Sequence, residues 1–160
     1  DDVESRGLGD VYKRQIENMD FDAVCLSVGQ HKCDIAMAGL TINEEREEYV
    51  TFSDPYYKAS QRLVTLADDT AFDDCKDAAS VEEVLKGLSA SDKIGGQQGT
   101  TAQYFVEGSD DWGFEGLPAE WVPYKSASLA VQDMINGNVK YVIIDAAPAE
   151  SITKAINAMQ

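Results

Sequence analysis

Alternating strand-like and helix-like segments in the second half of the chain constrain the fold more than any other sequence feature. Short apolar runs predict strands, and apolar side chains that recur every three or four residues predict amphipathic helices. The predicted strands are residues 93–96, 121–124 and 141–144, and the predicted helices are residues 81–88, 101–106, 127–135 and 149–159. This alternation is typical of an α/β domain with a largely parallel sheet.

The first half of the chain shows the same alternation less completely. The elements predicted there are a helix at residues 22–28 and strands at residues 16–19, 34–38 and 62–66. Gly29 is a natural stop for the helix, because glycine tolerates the backbone conformation that ends helices. Residues 67–70 form a polar break, and Ser80 is the expected N-cap of the helix beyond it.

The chain is strongly acidic: its 160 residues include 13 basic and 29 acidic side chains, for a formal net charge of −16. Nucleic-acid phosphates are bound through basic surface, so this balance argues against a nucleic-acid partner. An anionic membrane surface would repel the chain, and no apolar run is long enough to span a bilayer. The length suits one ordinary domain or two small lobes.

The few cysteines and the single histidine favour neither a metal site nor a catalytic triad. Cys25, Cys33 and Cys75 are odd in number, so at most one disulfide can form. His31 and Cys33 supply too few ligands for a zinc site. One histidine also gives little support to a Ser-His-Asp or Cys-His arrangement. We therefore predict no metal, no cofactor and no catalytic residue.

Residues 39–46, Gly-Leu-Thr-Ile-Asn-Glu-Glu-Arg, place an arginine beside the start of a short predicted helix. The first turn of a helix carries partial positive charge and favours acidic side chains, so Arg46 opposes the local preference. Its planar guanidinium can hold a carboxylate through two parallel hydrogen bonds. Spacing alone leaves two interpretations open: a carboxylate clamp, or an ion pair with a neighbouring glutamate, either Glu45, Glu47 or Glu48, on a solvated turn.

Two further segments are candidate sites. Residues 95–101, Gly-Gly-Gln-Gln-Gly-Thr-Thr, combine glycines that allow close backbone approach with a threonine pair that opens a helix. The alternative is a capped helix after a tight turn. Asp145 follows the apolar run 141–144, and ligands of open α/β sheets gather at the carboxyl ends of strands. The alternative for Asp145 is that it caps the helix containing Pro148.

Residues 39–46 and 52–57 together resemble the signature block of the extracellular solute-binding proteins of polar amino acid ABC transporters, family 3 type. Residues 99–101 and Asp145 also resemble family motifs and follow in the expected order. The resemblance covers about residues 16–160 of the chain. It implies an α/β, two-lobed periplasmic-binding-protein-like fold of type II, with an incomplete lobe 1 and a nearly complete lobe 2.

The family resemblance also implies a role for each candidate residue. The Gly39, Thr41 and Arg46 positions bind the α-carboxylate of a free amino acid, as do Thr100 and the backbone of Thr101. Asp145 binds the α-amino group, and Gln97 lies at the side of the pocket. The predicted ligand-binding residues are thus Gly39, Thr41, Arg46, Gln97, Thr100, Thr101 and Asp145.

The resemblance implies a non-enzymatic receptor, expected to be a monomer, that closes around its ligand and delivers it to a membrane permease. The hinge is expected near residues 63–66. A periplasmic or extracellular location follows from the family, with a lipid anchor left open for the full-length protein. Two alternatives use the same fold: the sensor domain of a membrane receptor, and an enzyme similar to cyclohexadienyl dehydratase.

The family resemblance places the domain boundary at the polar break. Residues 16–66 are expected to form part of lobe 1, and residues 67–160 lobe 2. Residues 5–15 show no clean periodicity, and we interpret residues 1–15 as a non-native leader. The first strand and first helix of lobe 1, which carry an acidic and an aromatic ligand contact in the family, are then expected to be missing.

Overall fold

The computed structural model describes residues 15–159, in which four strands form one sheet. The strands are β1 (Gln61–Val64), β2 (Lys93–Gln97), β3 (Glu120–Tyr124) and β4 (Tyr141–Asp145). They lie in the order β1-β4-β2-β3, with β2 parallel to both β3 and β4 and β1 antiparallel to β4. The predicted strands in the second half of the chain and the strand predicted at residues 62–66 are therefore confirmed.

Six α-helices occur among the described residues. They are α1 (Val24–Gly29), which follows a 3₁₀ turn at Phe21–Ala23, α2 (Glu44–Glu47), α3 (Ala78–Lys86), α4 (Thr101–Glu107), α5 (Ala127–Ile135) and α6 (Ala146–Asn157). The helix predicted at residues 22–28 is confirmed, although its first turn is 3₁₀. The helix predicted at residues 149–159 begins three residues earlier, directly after β4.

The sheet has a hydrophobic core on each face, because successive side chains of a strand point to opposite faces. Val142 and Ile144 of β4 join the cluster beneath α5 and α6, whereas Tyr141 and Ile143 join the cluster beneath α3 and α4. Val142 is fully buried. Burial on both faces explains why β4 is an uninterrupted apolar run in the sequence rather than an alternating one.

The cap of α3 differs from the prediction. Asp77, and not Ser80, occupies the N-cap position, and the helix begins at Ala78. The side chains of Asp77 and Ser80 each accept a hydrogen bond from the backbone N–H of the other residue, which is a capping box. The backbone N–H of Ser80 lowers the pKa of the Asp77 carboxyl. Asp77 is the better cap because its carboxylate also complements the positive end of the helix.

Two strands predicted in the first half of the chain are wrong. Residues 16–19 and 34–38 have no regular secondary structure, and Ile35 and Met37 are 74% and 78% exposed. A strand needs a neighbour for its backbone hydrogen bonds. In the part of the chain that the structure describes, the sheet gives these segments no such neighbour. Residues 1–14, most of the predicted leader, lie outside the described residues.

Gly96 in β2 lies where a side chain would not fit, which makes it a test of sheet packing. A Cβ atom there would lie 2.3 Å from Cη2 of Trp121 and 2.7 Å from the backbone oxygen of Ile143. We expect Gly96→Ala to lower the free energy of unfolding by about 1–3 kcal/mol in urea denaturation, because overpacking displaces the core.

The matched control is Gly87→Ala at the end of α3. A Cβ atom at the exposed Gly87 comes no closer than 3.3 Å to its nearest neighbour, the backbone oxygen of Val84. We expect this variant to change the free energy of unfolding by less than about 0.5 kcal/mol. Equal effects of the two substitutions would contradict the packing of Trp121 against Gly96.

Candidate ligand-binding site

A cavity of about 230 Å³ lies at the carboxyl ends of β2 and β4. These strands are parallel, so Gln97 and Asp145, the last residue of each, reach the same edge of the sheet. The opposite wall comes from residues 38–46. All seven residues predicted to bind ligand line this one cavity, together with Phe21, Ala38, Ala127, Ile144 and Pro148.

Arg46 is the buried cation of the cavity, with 8% of its surface exposed. Asn43 caps α2 and accepts a hydrogen bond from the backbone N–H of Arg46, which orients the arginine. Nη1 donates to the backbone oxygen of Thr41 at 2.6 Å, and Nη2 donates to that of Gly99 at 2.8 Å. These bonds leave other N–H donors of the guanidinium for a ligand.

The alternative interpretation of Arg46, an ion pair on a solvated turn, does not describe its environment. Arg46 forms none of the salt bridges found among residues 15–159. Its guanidinium lies instead over the ring of Phe21, 5.7 Å from the ring centroid. An aromatic face attracts a cation without neutralising it, so the charge remains able to attract an anion.

Gly99 lets the turn before α4 approach the first part of the chain. Its φ of +75° is left-handed, and a Cβ atom there would lie 3.0 Å from the Cβ of Asp22. The close approach brings the backbone oxygen of Gly99 to Arg46. Glycine meets both demands, because it has no Cβ and adopts positive φ at little cost.

The polar side chains beside Gly99 are held by neighbouring backbone and side-chain groups. Thr100 donates its hydroxyl to the backbone oxygen of Gln97 at 2.7 Å, and the Gln97 amide donates to the backbone oxygen of Lys125 at 3.2 Å. Thr100 occupies the N-cap position of α4 but makes no side-chain capping bond. The simple capped-helix alternative for residues 95–101 therefore does not account for the Thr100 hydroxyl.

Asp145 is the partly buried anion of the cavity. It occupies the N-cap position of α6, yet its side chain makes no capping bond. The carboxylate accepts a hydrogen bond from Nε2 of Gln61 instead. Burial raises the pKa of the Asp145 carboxyl, and the Gln61 bond opposes this by lowering it. Asp145 forms none of the salt bridges found in the described part of the chain. An unpaired anion that faces a cavity is suited to receive an ammonium group.

Phe21 and Gln61 are the site residues that the sequence prediction missed. Phe21 reaches the cavity from a 3₁₀ turn, and Gln61 supports Asp145 from β1. Neither belongs to the quoted motifs. The predicted strand at residues 62–66 placed Gln61 just outside the sheet, whereas β1 begins with it.

A larger cavity of about 1010 Å³ adjoins the site and shares Gly39, Thr41 and Thr101 with it. Its walls are mainly apolar. Of the charged residues in its lining, Asp54, Lys58 and Arg62 are exposed, and the half-buried Glu82 forms a salt bridge with Lys86. The smaller cavity contains a buried cation and a partly buried anion, which makes it the better candidate for a charged solute.

Three polar contacts join residues 15–59, which precede β1, to residues 67–159 around the small cavity. They are the bond from Arg46 to Gly99, a bond from the Tyr104 hydroxyl to Glu45 at 2.9 Å, and a salt bridge between Lys125 and Asp20 at 3.4 Å. Burial, and then the Glu45 carboxylate, raise the pKa of Tyr104, so its hydroxyl stays protonated and able to donate.

Residues 5–158 match the sequence profile of the bacterial extracellular solute-binding proteins, family 3. The chain belongs to this family. The histidine-binding periplasmic protein of Escherichia coli K12 is 30% identical over 118 residues, which are 74% of this chain and 40% of that protein. The chain therefore spans less than half the length of this relative.

Solved structures of amino acid-binding proteins share the fold. An ancestral arginine-binding protein bound to glutamine matches with a TM-score of 0.69 and 31% identity, over 89% of this chain and 56% of that one. An ancestral amino acid-binding protein, described as a precursor of cyclohexadienyl dehydratase, matches with a TM-score of 0.71 and 25% identity, over 91% and 57%. The predicted family and the predicted α/β fold of a truncated two-lobed protein are confirmed.

The comparisons do not test two of the finer predictions. The division of this family member at residues 66 and 67 stays a prediction, and so do the ligand-binding roles of the seven residues. Among residues 15–159, no helix combines the length and apolar composition that crossing a membrane requires.

The raised pKa of Asp145 gives a stability prediction that needs no ligand. A carboxyl whose folded pKa lies above its unfolded value destabilises the fold as pH rises, because the unfolded state loses the proton first. We expect Asp145→Asn to raise the free energy of unfolding at pH 7 by about 0.5–2 kcal/mol, since the amide oxygen still accepts from Gln61. The gain should vanish below the ordinary pKa of aspartate.

Urea denaturation of both proteins between pH 3 and pH 8 measures this difference. Asp111→Asn is the matched control, because Asp111 is exposed and lies outside the cavity. A lower stability of Asp145→Asn at pH 7, with Asp111→Asn unchanged, would show that the carboxylate stabilises the fold and would reject the interpretation.

Proposed function

We propose that the intact protein is the substrate-binding component of an amino acid ABC transporter and captures a free amino acid in the small cavity. The observation that carries the proposal is the pair of opposite charges, buried Arg46 and partly buried Asp145, on the walls of one cavity of about 230 Å³. An amino acid carries a carboxylate and an ammonium on one carbon atom, so it complements both charges.

Arg46 is proposed to bind the α-carboxylate, with Gly39, Thr41, Thr100 and the backbone of Thr101 completing its surroundings. A guanidinium suits this task because its N–H groups form a rigid planar fork that matches a carboxylate. The two bonds that Arg46 already makes to backbone oxygens hold the fork in place before the ligand arrives. Preorganisation of this kind reduces the entropy that binding costs.

Asp145 is proposed to bind the α-ammonium, with Gln97 at the side of the cavity. A free carboxylate partly removed from water gains more from an ammonium than an exposed one does, because the surroundings screen the attraction less. The cavity is smaller than the pockets of about 300–1,000 Å³ that hold drug-sized ligands. Its size supports a small solute.

Capture by closure is the proposed mechanism. The cavity walls come from both parts of the chain, and a ligand that touches both stabilises the form in which they are close. The contacts from Arg46 to Gly99 and from Tyr104 to Glu45 join the same two parts. Residues 63–66, which include the end of β1 and precede the predicted division of the chain, are the proposed hinge.

The named relatives support an amino acid as the ligand, because one is described as a histidine-binding protein and another as an arginine-binding protein bound to glutamine. From the same family we propose a periplasmic or extracellular location, a permease as the partner and a receptor without catalytic activity. Capture and release require no bond to be made or broken, so the proposed residues need only bind, orient and exclude water.

The binding role of Arg46 can be tested by substitution in the intact protein. We expect Arg46→Ala to weaken amino acid binding by about 2–5 kcal/mol, which is about thirty-fold or more, because a desolvated carboxylate loses its partner. Isothermal titration calorimetry with L-histidine, L-arginine and L-glutamine measures the affinity, after a thermal-shift screen of all the common amino acids.

Arg62→Ala serves as the matched control, because Arg62 is exposed on β1 and does not line the small cavity. Arg46→Lys keeps the charge but loses the planar fork, and we expect an intermediate loss. Equal affinities for the wild-type protein and Arg46→Ala would reject the assignment. Sustained product formation from prephenate or arogenate would reject the receptor in favour of an enzyme.

A further inference from the structure

Gln61, the first residue of β1, contacts two residues that line the small cavity. It lies directly opposite Asp145 in the antiparallel pairing of β1 and β4. Its Nε2 donates to Oδ1 of Asp145 and also to the hydroxyl oxygen of Thr101, the latter at 2.8 Å. One side-chain amide therefore holds two residues that are 44 positions apart in sequence and that both line the small cavity.

The orientation of the Gln61 side-chain amide is energetically unfavourable, and a role in packing alone does not explain it. Oε1 of Gln61 is buried and has no hydrogen-bond partner among the described residues. A buried acceptor without a partner is unfavourable, because it has given up its bonds to water. An ionised carboxylate can only accept hydrogen bonds, so Asp145 requires the NH₂ end of the amide to face it.

We propose that Gln61 is a positioning residue that prepares Asp145 for the ligand ammonium and Thr101 for the ligand carboxylate. The inference rests on the proposed function and extends it to a residue outside the predicted site. By holding Oδ1 of Asp145, Gln61 leaves Oδ2 for the ammonium. By donating to the hydroxyl oxygen of Thr101, it directs the hydroxyl hydrogen away from itself, where it can donate to a carboxylate.

The charged surroundings of Asp145 are simple enough for this effect to be measured. Arg46 is the only other charged side chain among the described residues that line the small cavity. β1 faces Asp145 with the neutral amide of Gln61, while α4 and α5 contribute the neutral Thr101 and Ala127 to the cavity. Loss of the Gln61 donor therefore removes one identified favourable interaction with the ionised carboxylate.

The test is Gln61→Leu, which keeps the approximate size of the side chain and removes both donors. We expect it to weaken binding of L-arginine, L-histidine and L-glutamine by about 5- to 30-fold in calorimetry. Gln132→Leu is the matched control, because Gln132 is exposed on α5 and lies outside the cavity. Gln61→Asn retains an amide but is too short to hold both partners, and should lose affinity as well.

The pH dependence of ligand binding distinguishes a positioning role of Gln61 from a general loss of stability. Burial raises the pKa of Asp145 and the Gln61 bond lowers it, so removing the bond should raise it further. Binding requires the ionised carboxylate, and the acidic limb of the binding profile should therefore move to higher pH in Gln61→Leu. A general loss of folding would weaken binding without moving this limb.

A carbon-13 NMR titration measures the pKa of the Asp145 carboxyl directly. It is carried out on ligand-free wild-type protein, Gln61→Leu and Gln61→Asn. An upward shift of the Asp145 pKa in the variants is expected. Unchanged titration together with unchanged affinity would overturn the inference. If the wild-type protein binds none of the common amino acids while the pKa still shifts, the proposed function fails and the coupling of Gln61 to Asp145 stands.

Discussion

The site depends on the hydrogen bonds that hold the buried guanidinium of Arg46 in place. A cation taken out of water is costly unless hydrogen bonds replace the lost hydration. Here two backbone oxygens, from Thr41 and Gly99, supply part of the replacement, and they come from opposite sides of the cavity. Folding thus places an incompletely compensated positive charge at a fixed point beside a cavity, which is what an anionic ligand group requires.

The sheet determines where the opposite charge can lie. β4 is buried on both faces and contributes to both hydrophobic cores, so its position is fixed by packing. Asp145 is the residue with which β4 ends, and β2 ends beside it at Gln97. The polar residues at this edge are therefore carried by the two central strands of the sheet, and the short 3₁₀ turn and α2 approach them from the other side.

The second half of the fold could be predicted because its signals are local. Strands that are buried on both faces appear in the sequence as apolar runs. The helix α5 has the same bounds in the structure as in the prediction, residues 127–135. The first half could not, because strands such as residues 34–38 were expected from composition without knowledge of a neighbouring strand. Ile35 and Met37 are exposed in the described part of the chain, since no strand of its sheet pairs with them.

Only the site residues that belong to a sequence motif could be predicted from the sequence. The seven motif residues meet at one cavity, because each lies at a strand end or a turn that the fold brings to the same edge. Gln61 was missed for a physical reason: its importance lies in two hydrogen bonds to residues far away in sequence, which no local pattern records. Phe21 was missed likewise, because its relation to Arg46 is one of spatial proximity alone.

The unsatisfied groups of the site follow from the same arrangement. Within residues 15–159, no cation pairs with the partly desolvated Asp145, the buried Oε1 of Gln61 has no hydrogen-bond partner, and Arg46 has N–H donors beyond the two that bond to backbone oxygens. Buried polar and charged groups without partners are unfavourable. Under the proposed function, a zwitterion in the cavity supplies partners for them. A ligand that binds only the folded form stabilises it by an amount that grows with the logarithm of the ligand concentration divided by its dissociation constant. Under the proposed function, these unsatisfied groups favour the ligand-bound form over the empty one.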